Sequence, residues 1–272
     1  MSTLPLKTLT LAFMIESVFL FQTPPAQSAS AEPQRYTHGI VASDHPQASQ
    51  AGQHMLAKGG NAFDAAIATS LALAVVRPQS TGIGGGGFMM FHHQNKTGVL
   101  DYREVAPAQA TATMYLDDKG VPVPQLSTVG FKAAAVPGLL AGLHEIYQTK
   151  ATLPLKTLAA PAIALAENGF LADSHFAHAS ETLHERGVRE DLKSLYFIKN
   201  QPAKPGQRIQ NKELAASLRL LSEQGFRSFY EGPWAEAFAK KIQAVGGLIS
   251  AEDLKRYQPK YRTPIHTEYR GY

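Results

Sequence analysis

A mixed α+β fold is the class this sequence predicts, and three stretches predict it. Ala62 to Val76 is apolar almost all round, the pattern of a helix buried on every side. After the glycine-rich run Thr81-Gly82-Ile83-Gly84-Gly85-Gly86-Gly87 come two strand patterns, Phe88 to His93 and Val99 to Tyr102, joined by the turn Gln94-Asn95-Lys96-Thr97-Gly98. Beyond Pro137 nearly every segment repeats its apolar residues at helical spacing.

Elements before and between these stretches can be taken in chain order. Lys7, the apolar stretch Leu9 to Phe21, Pro24-Pro25 and the small-residue run ending at Ala31 have the order of a secretory signal, with cleavage near Ala29 or Ala31. That predicts a leader over residues 1–31, one unit over 32–272, and a secreted or periplasmic product. Asp44-His45-Pro46 opens a helix that runs to Lys58 and stops at Gly59-Gly60. Asn61 is a ready N-cap for the apolar helix, with Asp64 in its first turn. From Pro107 through Val121-Pro122-Val123-Pro124 the chain is irregular, and Pro137 opens a helix to about Tyr147. Helices then run from Lys156 to Glu167, Ser174 to Arg186, Lys212 to Gln224 and Pro233 to Val245, and Ser250-Ala251-Glu252-Asp253 resembles a capping box. Asn200 to Gln210, rich in Pro, Lys and Gln, is the expected exposed loop, and Arg262 to Tyr272 reads as the start of a strand and turn.

Composition removes several classes of function. The 26 basic and 22 acidic residues give a net charge of +4, scattered along the chain, so no block reads as a nucleic-acid or membrane patch. After the leader no apolar run is long enough to span a bilayer. With no cysteine there is neither a disulfide framework nor thiolate chemistry, and a zinc site would need His and carboxylates alone.

Gly82, Gly84 and Gly87 match G-x-G-x-x-G, but that fingerprint needs a strand before and a helix after. Here a helix precedes and a strand follows, and no lysine closes the loop. Four consecutive residues without Cβ instead allow close backbone approach, to a neighbouring strand or to a ligand. His92 and His93 alternate across a strand and cannot share an ion; His175 and His178 could, at i and i+3, yet no metalloprotease pattern surrounds them, and a solvated helix face is the expectation. There is no G-x-S-x-G elbow. In Asp101-Tyr102-Arg103-Glu104-Val105-Ala106-Pro107, Arg103 carries a planar fork suited to a carboxylate, although spacing alone makes it a surface ion pair with Glu104 or Asp101.

Taken together, Gly59-Gly60-Asn61-Ala62-Phe63-Asp64-Ala65-Ala66, the glycine run through Phe88-Met89, and Tyr102-Arg103-Glu104-Val105-Ala106-Pro107 resemble the gamma-glutamyltranspeptidase family. Val136-Pro137-Gly138, Ala166-Glu167-Asn168-Gly169-Phe170, Phe229-Tyr230-Glu231-Gly232, Gly246-Gly247-Leu248-Ile249 and Tyr269-Arg270-Gly271-Tyr272 extend the resemblance over nearly everything after Gly39. It implies an N-terminal-nucleophile hydrolase, an αββα four-layer sandwich cut by its own chemistry into large and small subunits, with no cofactor. It implies that the nucleophile is the first threonine of the small subunit, that glutathione is the usual donor, and that Arg103 grips the α-carboxylate of the glutamyl group. No Thr-Thr pair with a small-subunit pattern follows, so the expectation is a partial large subunit with no catalytic residue, inactive and poorly soluble without its own small subunit as heterodimer partner. Two other readings stay open: a cephalosporin-acylase-like amidase accepting glutaryl side chains, and a non-catalytic truncated remnant.

Overall fold

The computed structural model describes residues 36, 37, 39–187 and 195–271, so the leader expected over 1–31 lies outside the described residues, as does Tyr272. The chain divides into Met1–Thr37 and His38–Tyr272, and every element named here belongs to the second unit. These elements are α1 (Pro46–Ala57), α2 (Ala62–Val76), the single turn α3 (Pro78–Thr81), β1 (Phe88–His93), β2 (Lys96–Asp101), α4 (Leu139–Lys150), α5 (Leu155–Asn168), β3 (Phe170–Leu171), α6 (Ser174–Glu185), β4 (Phe197–Ile198), β5 (Gln201–Pro202), β6 (Arg208–Ile209), α7 (Lys212–Gln224), α8 (Pro233–Ala244), α9 (Ala251–Arg256) and β7 (Lys260–Arg262).

α2 is the spine, as its composition requires: Ile67, Ala68, Leu71, Ala72 and Val76 are fully enclosed, with α1 and α5 packed on it and α7 packed on α5. Its start is fixed by a capping box in which the Asn61 side chain accepts from Asp64 N–H and the Asp64 carboxylate accepts from Asn61 N–H. Asp64 does more than cap. Its two oxygens also accept from Thr152 N–H at 2.9 Å, Thr152 Oγ1 at 2.6 Å and Leu153 N–H at 3.0 Å, so it latches the α4–α5 connection onto α2. Burial works to raise this carboxyl, but the Thr152, Leu153 and Asn61 donors outweigh it and hold the group below its ordinary value. Asp64→Asn puts an amide donor against these donors. We expect a loss of about 2 kcal/mol in urea unfolding, and a midpoint equal to the parent's would show that the latch contributes nothing.

The sheet is β1-β2-β7, antiparallel throughout, with Leu100 opposite Met89 on one side and Tyr261 on the other. Leu100, Met89 and Phe91 face the helical core. The opposite face carries Phe88 and Met90, which are 61% and 67% exposed. The β1–β2 turn is tighter than the sequence suggests: only Gln94 and Asn95 lie outside the strands, at φ 51° and 60°, the conformation of a two-residue hairpin turn. Residues 200–210 are not wholly a loop. They supply β5 and β6, which pair with β4 and β3 and bury Ala203 and Ile209, while most of the segment is exposed, as expected.

Candidate functional site

The candidate segment is Tyr102–Val105, at the C-terminal end of β2. Tyr102 N–H donates to the Gly87 carbonyl at 2.9 Å and Gly87 N–H donates back to Tyr102 at 3.2 Å, which carries the β1–β2 ladder one pair beyond the strands. Val105 and Val136 form an isolated antiparallel bridge on the other side. The segment is therefore stretched between the glycine loop and the approach to α4.

Absence of side chains makes that fit possible. A Cβ at Gly86 would lie 2.6 Å from the Tyr102 carbonyl oxygen and 2.9 Å from both Glu104 N and Glu104 Oε2. One at Gly138 would overlap the same carbonyl oxygen and the Tyr257 hydroxyl. Gly85 accepts from Gly138 N–H at 2.9 Å and Leu139 N–H at 2.8 Å, so two otherwise free donors at the start of α4 hold the loop. The glycines thus serve backbone crossing, and they precede a strand, which agrees with their exclusion as a phosphate loop.

Arg103 has a fixed backbone and an exposed head. Its N–H donates to Asp101 Oδ1 at 3.0 Å, and its carbonyl accepts from Tyr257 Oη at 2.7 Å. The guanidinium side chain is 59% exposed, with Nη1 3.4 Å from Glu104 Oε2. Asp101 does not pair with that guanidinium: its other oxygen takes Arg262 at 2.9 and 3.0 Å. Glu104 Oε2 is enclosed and accepts no hydrogen bond. Of the two ion pairs that spacing allowed, the one to Glu104 forms, at a length that leaves most of the fork open to an incoming carboxylate.

Tyr257 and Tyr230 support this backbone; Tyr230 falls in the Phe229-Tyr230-Glu231-Gly232 stretch of the resemblance, whereas Tyr257 has no local sequence signal. Their rings stack at 5.8 Å, and Tyr230 Oη donates to the Pro137 carbonyl at 3.0 Å while accepting from Ala141 N–H at 3.1 Å. Burial first, then the Asp101 and Glu104 carboxylates, push the Tyr257 hydroxyl up to about 12, so it remains a donor at every physiological pH. His92 and His93 sit on opposite faces of β1, His92 against Thr97 Oγ1 at 2.9 Å and His93 edge-on to Phe63; His175 and His178 lie exposed on α6. Among the described residues no three His, Asp or Glu side chains are grouped to hold a metal ion, and no helix is long and apolar enough to cross a membrane.

Against known proteins, the family model described as Gamma-glutamyltranspeptidase matches residues 48–272. The chain is 41% identical over 246 residues to the glutathione hydrolase proenzyme of Escherichia coli (strain K12), covering 88% of this chain and 42% of that protein, so it spans less than half of that relative's length. It superposes on the crystal structure of Helicobacter pylori gamma-glutamyltranspeptidase with a TM-score of 0.84 at 40% identity, over 88% of this chain and 70% of the other. The cephalosporin acylase from Bacillus halodurans is similar at a TM-score of 0.76 and 28% identity, over 90% of this chain and 47% of the other.

Proposed function

The chain belongs to the gamma-glutamyltranspeptidase family and to the N-terminal-nucleophile hydrolase fold, and on that premise we propose that it forms the substrate-gripping part of an enzyme that hydrolyses and transfers gamma-glutamyl groups, with glutathione as donor. The observation that carries this reading is the exposed Arg103 fork on a backbone clamped by Asp101, Tyr257 and the glycine loop. Such a fork, whose position costs little to maintain, suits a free α-carboxylate and orients the rest of the substrate.

The chemical step falls to a threonine that begins a small subunit made from the same precursor. Its hydroxyl oxygen attacks the gamma-glutamyl carbonyl, the threonine's own amine takes the hydroxyl proton, and the amine product leaves. Water or an acceptor amine then releases the glutamyl group from the ester. Phe88 and Met90 on the open sheet face give that subunit an apolar surface to stack on. Export, expected from residues 1–31, belongs to the same proposal.

In the full-length enzyme, Arg103→Ala removes a charge-assisted bond of about 1.5 to 3 kcal/mol, so KM for a gamma-glutamyl anilide should rise roughly 10- to 150-fold with a smaller change in kcat. An unchanged KM would remove Arg103 from the site. The chain of 272 residues by itself should release no aniline, and release would overturn this division of labour between the subunits. The likeness to a cephalosporin acylase gives a second reading. In that case the full-length enzyme would cleave a glutaryl amide as fast as its gamma-glutamyl counterpart.

A further inference from the structure

The glycine loop has one side chain with which to anchor itself. Between Gly82 and Gly87 every residue but Ile83 is glycine, and glycine backbone has the most conformational freedom to lose. Ile83 packs against the core from the loop's tip. Half-buried, it lines a narrow crevice together with Leu220 and Leu221 of α7, Phe229, and Trp234 of α8, where the void is about 10 Å³.

From that anchor a continuous set of contacts runs to Arg103. Gly85 N–H closes a turn onto the Gly82 carbonyl at 2.9 Å, directly around Ile83. Gly86 then lies against Glu104, and Glu104 Oε2 is 3.4 Å from the Arg103 guanidinium. The crevice walls come from the helical half of the chain, more than a hundred residues away in sequence from Arg103, so that half reaches the site here as well as through Tyr257.

We propose that Ile83 is a positioning residue for gamma-glutamyl binding: its seat in the α7–α8 crevice fixes the glycine loop, and the loop fixes Glu104 and thereby the Arg103 fork. The proposal rests on Arg103 holding the substrate carboxylate. A loop released from the crevice would let Glu104 and Arg103 move relative to the substrate without touching the nucleophile. KM should suffer and kcat should not.

The test is a double-mutant cycle in the full-length, processed enzyme with a gamma-glutamyl anilide as substrate. Ile83→Ala should raise KM about tenfold with kcat within about twofold of the parent, Ile83→Val should raise KM by a smaller factor, and Ile83→Ala should add nothing to Arg103→Ala. Trp234 is the sole tryptophan, so Ile83→Ala should also shift its emission to the red as the crevice opens to water. Additive effects of the two substitutions on KM would overturn the proposal while leaving Arg103 in place. No effect of Arg103→Ala on KM would instead overturn the reading beneath it. If Ile83→Ala prevents folding, Ile83→Val carries the same cycle at smaller amplitude, and additivity there is equally decisive.

Discussion

Arg77→Met will destabilise the fold by about 3 kcal/mol, a drop of roughly 6 to 12 °C in the melting temperature. Arg77 ends α2 and is 3% exposed, yet all of its charge is matched. Nε donates to Asp44 Oδ2 at 2.9 Å, Nη2 to the Asp44 carbonyl at 2.9 Å, and Nη1 and Nη2 to the two oxygens of Asp173 at 3.0 and 2.6 Å. One guanidinium thus joins the entry to α1, the end of α2 and the N-cap of α6. The expected loss sits at the low end for a buried pair because Asp44 and Asp173 reach water and would not be stranded without a partner. Acid sensitivity should change with it. Burial acts to raise the Asp173 carboxyl, but the Arg77 hydrogen bonds, the Phe176 N–H and the Arg77 charge outweigh it and hold the group at about 2 against an ordinary 3.8. A folded-state value below the unfolded one stabilises the protein above pH 3.8, and that stabilisation disappears as pH falls through about 2. In the methionine variant this acid-side slope should flatten. Melting curves from neutral to acid pH check both points, and equal melting temperatures at neutral pH would refute the first.

Gly138→Ala should be at least as damaging, by about 3 kcal/mol or more, and it should reach the site as well. The added methyl overlaps the Tyr102 carbonyl oxygen and the Tyr257 hydroxyl together. Neither can retreat at little cost. The carbonyl accepts from Gly87 N–H at 3.2 Å, and the hydroxyl is held at 2.7 Å on the Arg103 carbonyl. Relief must therefore separate α4 from β2 or pull Tyr257 off Arg103. Urea unfolding of the chain would measure the first effect. In the full-length enzyme a raised KM for the gamma-glutamyl donor would report the second, and wild-type values in both would show that the crossing yields more readily than these contacts require.

Sequence reasoning succeeds where the determinants are local. Asn61 with Asp64 and Ser250 with Asp253 form the capping boxes their spacing suggests, and Gly169 ends α5 with φ at 83°. It fails where a residue has two possible uses. Gly98 reads as part of the β1–β2 turn, but it sits within β2 opposite Phe91, whose ring lies 2.6 Å from where its Cβ would be. The Arg77 network escapes a search by motif, although an arginine closing an otherwise apolar helix, with Asp44 at the mouth of the preceding one, is a visible signal. At the candidate site, resemblance singles out Arg103, and its role there is a proposal. Tyr257 is not singled out, since its bond to the Arg103 carbonyl joins positions 154 residues apart and only the folded chain brings them together.

Asp64 also has a temporal side. Its bonds to Asn61 and Thr152 belong to different stages of folding, because the first spans three residues and the second 88. Closing a loop of 88 residues costs about 4 kcal/mol of chain entropy beyond a constant, so the local cap can form as α2 nucleates while the latch waits for α4 and α5 to arrive. Weakening the latch at Thr152 should accordingly hasten unfolding and leave the refolding rate nearly untouched.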